Sequence, residues 1–204
     1  MDKDLKERYE QFLYVFMREI DRMFEEQKEF IKCKEGCSYC CEYGEYPFSQ
    51  LEFDYLTEEY KLLDYDTKSK IIENIKKVNE QKAVSMDERF MYDCPFLINN
   101  RCSVYKNRGI ICRTFGLLFD HDDDRLTMPF CHEKGLNYSQ IYDKDLGQLV
   151  MEKDGVVLAQ TEPKAYRISR ENIQRLSIAK KLDIKWGESK TLIDFINESQ
   201  AFKE

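Results

Sequence analysis

The sequence has no long apolar run. None of its stretches approaches the roughly 20 apolar residues that a membrane-spanning helix needs. Residues 1–10 alternate acids and bases, so they lack the basic start, apolar block and small-residue cleavage site of a secretory signal. Both absences favour a cytoplasmic protein that has no membrane partner.

Histidine, proline and glycine are also scarce, with 2, 4 and 8 residues among 204. No paired-histidine zinc motif, glycine-rich phosphate loop or serine nucleophile elbow is present. The net charge is −7 and the isoelectric point about 5.1. Because nucleic acids and anionic membranes are bound through basic surfaces, this charge disfavours both as partners.

The composition nevertheless supports a folded core. Hydrophobic residues make up 42% of the chain and aromatic residues 13%, which excludes a disordered protein. Charged residues at 35% and a mean hydropathy of −0.65 are typical of a soluble protein.

The N-terminal segment predicts a long amphipathic helix over residues 4–31. Its apolar residues follow a spacing of three and four, which places them on one helix face. This face either packs on its own domain or forms a seam with a protein partner or a second copy of the chain. Packing within the chain is favoured, because the repeat is too short to require a coiled coil.

Later segments predict further helices and short hairpins. Ser49 and Glu52 form a capping-box pattern for a helix over about 50–62, and Asp66 is expected to cap a third helix. Two-residue turns are predicted at 99–100 and 154–155. Residues 110–119 and 126–130 are expected to pair as strands. Residues 168–182 are expected to form one helix, with a last helix after Gly187.

The predicted fold class is mostly α with small irregular and β elements, a helical domain wrapped around a cysteine-rich metal site. Three segments are expected. Residues 1–32 form the N-terminal amphipathic helix, 33–147 the cysteine-cluster core, and 148–204 a mainly helical extension packed on that core.

Eight cysteines fall into two groups that are far apart in the sequence. They are Cys33, Cys37, Cys40 and Cys41, followed by Cys94, Cys102, Cys112 and Cys131. Thiols in the cytosol are kept reduced, so clustered cysteines there more often ligate a metal than form disulfides. Thiolates suit zinc and iron–sulfur centres and are poor ligands for magnesium or calcium. All eight are therefore predicted metal ligands, and the two groups are expected to meet.

The neighbours Cys40 and Cys41 limit how this centre is built. Side chains of adjacent residues in an extended backbone point to opposite faces, so one centre cannot take both without a turn. Either one thiol lies beside the centre, or the two serve different centres. The spacing matches neither a zinc ribbon nor the ferredoxin run. A disulfide framework, a thioredoxin-like C-x-x-C at Cys37 and Cys40, and ligand-free core cysteines are the less favoured alternatives.

Other candidate ligands are weaker. Asp120, Asp122 and Asp124 resemble the start of a calcium loop, but Arg125 stands where glycine is required and Cys131 where glutamate is required, so calcium is discarded. Of the two histidines, His121 and His132, the second follows Cys131 and is an alternative ligand, although a structural role is more common.

Arginines near the second cysteine group are candidates for offsetting thiolate charge. They are Arg101, Arg108 and Arg113. Arg113 is preferred as the residue that binds the cofactor, because it adjoins Cys112 and a guanidinium can donate hydrogen bonds to sulfur.

These motifs resemble a known family. The cysteines at 33–41, followed by Cys94-Pro-Phe-Leu, Cys102-Ser-Val-Tyr and Arg108-Gly-Ile-Ile-Cys112-Arg, are similar to the YkgJ-type cysteine-cluster family (CxxCxxCC), over about residues 33–132. The resemblance implies a domain that chelates zinc or iron. This chain has Gly109 where the family usually has proline, and C-x3-C where it usually has C-x2-C. Related motifs in flagellin lysine methylases imply a protein-modifying enzyme as one alternative.

The leading hypothesis is a cytosolic protein that holds an iron–sulfur cluster. Irregular spacing and surplus thiols suit a polynuclear centre better than a closed tetrahedral zinc site, so iron–sulfur is preferred over zinc. A structural zinc module that binds a partner, and an enzyme that modifies proteins or small molecules, remain as alternatives.

Overall fold

The computed structural model describes residues 1–34, 36–120 and 126–203. The helices are α1 Lys3–Glu26, α2 Tyr39–Glu42, α3 Gln50–Leu62, α4 Tyr65–Val84, α5 Ile110–Thr114, α6 Arg170–Gln174, α7 Ser177–Lys181 and α8 Leu192–Glu198. Short 3-10 helices span Phe130–Lys134 and Gln200–Phe202. None of the helices in the described ranges is long and apolar enough to cross a membrane.

The strands of the described residues are two or three residues long and pair antiparallel. The pairs are β1 Pro47–Ser49 with β10 Ser189–Thr191, β2 Leu97–Ile98 with β3 Arg101–Cys102, β4 Phe119–Asp120 with β5 Leu126–Thr127, β6 Tyr142–Asp143 with β7 Gln148–Leu149, and β8 Glu152–Lys153 with β9 Val156–Val157. The predicted class, mostly α with small β elements, is confirmed.

The chain divides into two compact units, each discontinuous in sequence. Unit 1 comprises Met1–Glu10, Gly36–Arg113 and Asp183–Glu204, and unit 2 comprises Gln11–Glu35 and Thr114–Leu182. The predicted division at residues 32 and 147 is one of sequence segments rather than compact units, and it stays a prediction.

Helix α1 begins near the predicted residue but ends at Glu26 rather than at 31. Its apolar residues Tyr9, Phe12, Leu13, Phe16 and Ile20 are buried within the single chain. Beyond the helix the Phe30 amide donates to the Gln27 carbonyl at 2.8 Å, and the Phe30 ring stacks on Tyr138 at 5.8 Å. Phe30 thus packs in the core of unit 2 from a turn that follows the helix.

The N-terminus of α3 forms as predicted, and that of α4 is shifted. The Glu52 amide donates to Ser49 Oγ at 3.3 Å while the Ser49 amide donates to Glu52 Oε2 at 2.9 Å, which completes the capping box. Helix α4 is capped by Asp64, whose Oδ1 accepts from the Thr67 amide at 2.8 Å, so the prediction of Asp66 was wrong. An N-cap carboxylate accepts from the backbone amide three residues later, here that of Thr67.

Both two-residue turns are confirmed. Asn99 and Asn100 have φ of 50° and 59° between β2 and β3, and Asp154 and Gly155 have φ of 52° and 77° between β8 and β9. These left-handed conformations are the ones that a tight hairpin turn requires.

Two local predictions were wrong. Residues Ile110–Thr114 form helix α5 instead of a strand, although Phe119–Asp120 does pair with Leu126–Thr127. Residues 168–182 form two short helices, α6 and α7, rather than one. Short segments with a few apolar residues fit either a strand or a helix, and packing decides between them.

Each unit has its own hydrophobic core. In unit 1, α3, α4 and α8 bury Phe53, Ile71, Phe195 and their neighbours, and Cys94, Cys102 and Cys112 pack partly buried against this core. In unit 2, Phe30, Leu118, Tyr138, Ile141 and Ala159 form a smaller core. Three thiols therefore lie at the edge of the unit 1 core.

Asp143 is a buried carboxylate of unit 2 whose hydrogen bonds predict a pH-dependent stability. Its carboxylate accepts from Lys153 Nζ at 2.8 Å and from the amides of Asp145 and Leu146 at 2.9 and 3.1 Å. The Lys153 hydrogen bond, followed by the Leu146 amide, lowers the pKa of Asp143. A lowered folded pKa adds stability above the unfolded pKa of about 3.9, and this stability is lost as the pH falls through the folded pKa.

We therefore expect Asp143→Asn to lower the midpoint of thermal unfolding at pH 7, and the difference from wild type to shrink in acid well below the unfolded pKa of about 3.9. Asp145→Asn is the matched control, because that side chain is 93% exposed and lies 3.9 Å from Lys153. An Asp143→Asn effect that is equal at both pH values would contradict the electrostatic origin.

Candidate metal centre

Two chain segments that are far apart in the sequence meet in unit 1 and bring cysteines together. The Cys94 amide donates to the Cys41 carbonyl at 2.7 Å. Gly44 and Tyr92 form an antiparallel bridge with two hydrogen bonds of 3.1 Å. The first and second cysteine groups are thus joined directly through their backbones.

Cys102 and Cys112 are presented by separate elements of the same unit. Cys102 lies in β3 opposite Leu97 of β2, and the Leu97 amide donates to the Cys94 carbonyl at 2.9 Å. Cys112 lies in α5, and its amide donates to the Gly109 carbonyl at 3.1 Å. The hairpin and the short helix therefore hold these thiols beside Cys94.

The sulfur atoms of the adjacent residues Cys40 and Cys41 lie close together. Both belong to the single helical turn α2, and their sulfur atoms are 3.9 Å apart. That separation is far longer than the ~2.05 Å of a disulfide. It is close to the ~3.8 Å between two sulfurs of a tetrahedral site with metal–sulfur bonds of about 2.3 Å. The turn that two neighbouring ligands would require is present.

Burial and mutual repulsion disfavour thiolates at this site. The pKa of Cys94 is raised, first by burial of the thiol and then by the charges of Cys102 and Cys112. Burial of the Cys112 thiol, followed by the charges of Cys102 and Cys40, raises the pKa of Cys112 to about 12. The pKa of Cys40 is raised first by its hydrogen bond to Cys41, then by burial. Burial also raises the pKa of Cys102.

These shifts show which thiols interact. The charge of Cys40 raises the pKa of Cys94, Cys102 and Cys112, and Cys41 raises the pKa of Cys40. Five thiols therefore share one electrostatic neighbourhood. A bound cation inverts such shifts, because a coordinated thiol is deprotonated. The donor set therefore fits a soft metal ion, although no three Cys, His, Asp or Glu side chains among the described residues lie close enough to hold one without rearrangement.

Arg108 is a cation whose charge favours the thiolates, and Arg113 interacts electrostatically with Cys112 as well. The charge of Arg108 lowers the pKa of both Cys102 and Cys112, against the larger effect of burial. Arg113 Nε donates to the Arg108 carbonyl at 3.0 Å and Nη2 to the Lys106 carbonyl at 2.7 Å. Arg113 thus braces the loop before α5, and cofactor binding by Arg113 stays a prediction.

Glu52 is a site residue that sequence reasoning assigned only to capping. Its side chain is buried, at 1% exposure, and Oε1 accepts from the Ile110 amide at 2.8 Å. Oε2 accepts from Ser49 Oγ at 2.7 Å. One carboxylate therefore joins the N-terminus of α3 to the start of α5, the helix that carries Cys112.

The departure from the family pattern at Gly109 has a structural explanation. A Cβ atom at this position would lie 2.6 Å from the ring of Phe48, which is fully buried. Proline carries a Cβ, so this chain cannot have the family's residue without moving Phe48. The aromatic ring and the glycine are matched to each other.

The other two cysteines, Cys33 and Cys131, belong to unit 2. Cys33 is exposed and Cys131 buried, and both raise the pKa of Tyr138, which burial chiefly raises to about 12. Beside Cys33, the Lys32 amide donates to Asn137 Oδ1 at 2.9 Å, and Asn137 Nδ2 donates to the Gly116 carbonyl at 2.9 Å. The eight cysteines are thus divided between the units as six and two.

The other candidate ligands are Cys37, the two histidines and the aspartates of the segment that resembles a calcium loop. No disulfide joins any of the eight cysteines, all of which are described residues, and Cys37 is exposed in unit 1. His132 Nδ1 lies 3.0 Å from the Pro129 carbonyl oxygen, and its ring packs edge-on against Tyr142 at 4.3 Å. His121, Asp122, Asp124 and Arg125 lie outside the described residues.

Comparison with known proteins identifies the cysteine-bearing region. Residues 32–132 match the sequence model of the family CxxCxxCC, described as "Putative zinc- or iron-chelating domain". No curated protein and no solved structure gave a match. The family description does not include the YkgJ name, which stays a prediction. Residues 32–132, which contain all eight cysteines, therefore form a domain of the CxxCxxCC family.

Proposed function

We propose that the chain binds its metal in unit 1, through Cys40, Cys41, Cys94, Cys102 and Cys112. The observation that carries this proposal is the sulfur pair of Cys40 and Cys41, 3.9 Å apart on one helical turn. The charge of Cys40 also raises the pKa of three further thiols, those of Cys94, Cys102 and Cys112. Two ligands would be in place before the metal arrives, and the others would close around it.

The irregular spacing of the cysteines makes an iron–sulfur centre our preference over zinc. Either centre takes four thiolates, so one of the five thiols in this neighbourhood would lie beside the centre. Thiolates ligate iron–sulfur clusters equally well. The proposal includes a cytosolic setting, where thiols stay reduced, and helices of unit 1 that surround the centre.

When bound, iron–sulfur supplies electron transfer, and zinc supplies a structural cross-link. The protein's own residues supply the environment. Arg108 offsets negative charge at Cys102 and Cys112, and its guanidinium is held over the Tyr105 ring at 3.8 Å. Glu52 fixes the start of α5 through the Ile110 amide.

Metal analysis of protein purified without oxygen tests the proposal. Iron, zinc and acid-labile sulfide are counted per chain, and the visible absorption spectrum is recorded. We expect coloured protein with iron and sulfide in stoichiometric amounts. Colourless protein with one zinc per chain would reject the iron–sulfur form and retain the metal site. Absence of both metals after reconstitution would reject the metal function.

Docking of a protein partner or a second copy on α1 is a separate proposal. The apolar stripe of the helix is buried within the chain, so a partner would have to use the outer face, where Tyr14 is 69% and Val15 40% exposed. Light scattering on the same purified samples reports the mass. A monomeric mass would exclude the second copy as the partner.

A further inference from the structure

Tyr46 lies against the turn that carries the sulfur pair. Its side chain is 4% exposed, and its hydroxyl donates to the Cys40 carbonyl at 2.9 Å. Cys40, Cys41, Cys94 and Cys112 all act on the pKa of Tyr46, which is raised chiefly by burial. The phenol therefore sits among four of the five proposed ligands.

The ring of Tyr46 is held from several sides. It packs edge-on against Tyr92 with ring centroids 5.5 Å apart, and Tyr92 stacks on Phe90 at 5.4 Å. A Cβ atom on Gly44 would lie 2.7 Å from the Tyr46 ring and hydroxyl. The position of the hydroxyl is consequently fixed by packing.

The carbonyl groups of the two adjacent cysteines are held differently. The Cys41 carbonyl accepts from the backbone amide of Cys94 at 2.7 Å, a bond that no substitution other than proline removes. The Cys40 carbonyl accepts from the side chain of Tyr46. Helix α2 has four residues, so its own hydrogen bonds cannot hold the turn alone.

We propose that Tyr46 is a positioning residue for the metal centre, which holds the Cys40–Cys41 turn so that both sulfurs face one metal ion. This inference rests on the proposed metal function. Without the hydroxyl, the Cys40 carbonyl loses its partner and the turn can relax, which separates the two sulfurs. Loss of a residue that orients metal ligands typically weakens metal affinity about 10–100-fold.

The experiment compares Tyr46→Phe with Tyr92→Phe, using Co²⁺ as the probe metal. Tyr92 is as buried as Tyr46, at 3%, but its hydroxyl accepts from the Ile193 amide at 3.2 Å, on α8. Each variant thus removes one buried phenol oxygen while keeping the ring. Co²⁺ is titrated into the metal-free proteins, and thermal unfolding is recorded without metal.

We expect Tyr46→Phe to bind Co²⁺ about 10–100-fold more weakly and to shift the energies of the Co²⁺ absorption bands, while Tyr92→Phe resembles wild type. Band energies are read per bound ion, so a partly unfolded sample would lower the amplitude without moving the maxima. Wild-type affinity and spectrum in Tyr46→Phe, or equal losses in both variants, would overturn the positioning role. A wild-type protein that takes up no Co²⁺ would overturn this role at a single-ion site, whereas the metal function itself is rejected only by the absence of both iron and zinc after reconstitution.

Discussion

Cys94→Ser is expected to abolish metal loading of the centre in unit 1. The Cys94 thiol interacts with those of Cys102, Cys112 and Cys40, and its amide joins the two cysteine groups. A hydroxyl is a harder and weaker ligand for a soft metal than a thiolate. The substitution keeps the backbone hydrogen bond to Cys41 and removes only the sulfur, so the loss reports coordination rather than folding.

The loss should also appear as lost stability. A metal present at about 1,000 times its dissociation constant stabilises the folded protein by about 4 kcal/mol. For a chain of this length, that corresponds to a fall in melting temperature on the order of 10 °C for Cys94→Ser compared with loaded wild type. Metal content per chain and thermal unfolding, with and without a chelator, measure both effects. Chelated wild type and Cys94→Ser should unfold at similar temperatures.

Cys33→Ser is the matched control for this prediction. Cys33 is exposed and belongs to unit 2, so its replacement should leave loading of the unit 1 centre unchanged. Equal loss of that centre in both variants would show that sulfur from outside unit 1 completes it. The assignment of the centre to five thiols of unit 1 would then be wrong.

Glu52→Ala is expected to cost on the order of 3 kcal/mol in the free energy of unfolding. The buried carboxylate accepts from the Ser49 amide, from Ser49 Oγ and from the Ile110 amide. Each buried donor left without an acceptor costs about 1–3 kcal/mol. Because Ile110 begins α5, the variant should also weaken metal binding by releasing the helix that presents Cys112.

Glu58→Ala controls for the general effect of removing a carboxylate from α3. Glu58 pairs at the surface with Lys61 at 2.9 Å and is 30% exposed. Its loss should change stability by no more than about 0.5 kcal/mol. Urea unfolding of the three proteins without metal measures the difference, and similar midpoints for Glu52→Ala and wild type would contradict the bridging role of Glu52.

Local signals predicted much of the secondary structure. The Ser49 capping box, the Asn99-Asn100 turn and the Asp154-Gly155 turn were found correctly, because each depends on residues within four positions of one another. The pairing of β1 with β10 was not predicted. It joins residues that are more than 130 positions apart, where no periodicity in either segment names the partner.

The length of α1 and the helical state of 110–114 also depended on packing. Phe30 fits the helical pattern of α1, yet it stacks on Tyr138 after a turn. Ile110 fits a strand pattern, yet its amide is held by the carboxylate of Glu52, 58 positions earlier. Contacts of this range override local preference.

The sequence by itself determined the chemistry of the site. Eight thiols between residues 33 and 131, with two histidines in the chain, restrict the metal to the soft class, and the family match over 32–132 agrees. Only the tertiary structure decided that five of the six thiols in unit 1 share one neighbourhood while two thiols lie in unit 2, and that the sulfurs of Cys40 and Cys41 lie 3.9 Å apart on a helical turn. The side chain alone determines the type of ligand. The distance between sulfurs depends on the backbone turn and on the remote segment that is hydrogen-bonded to it.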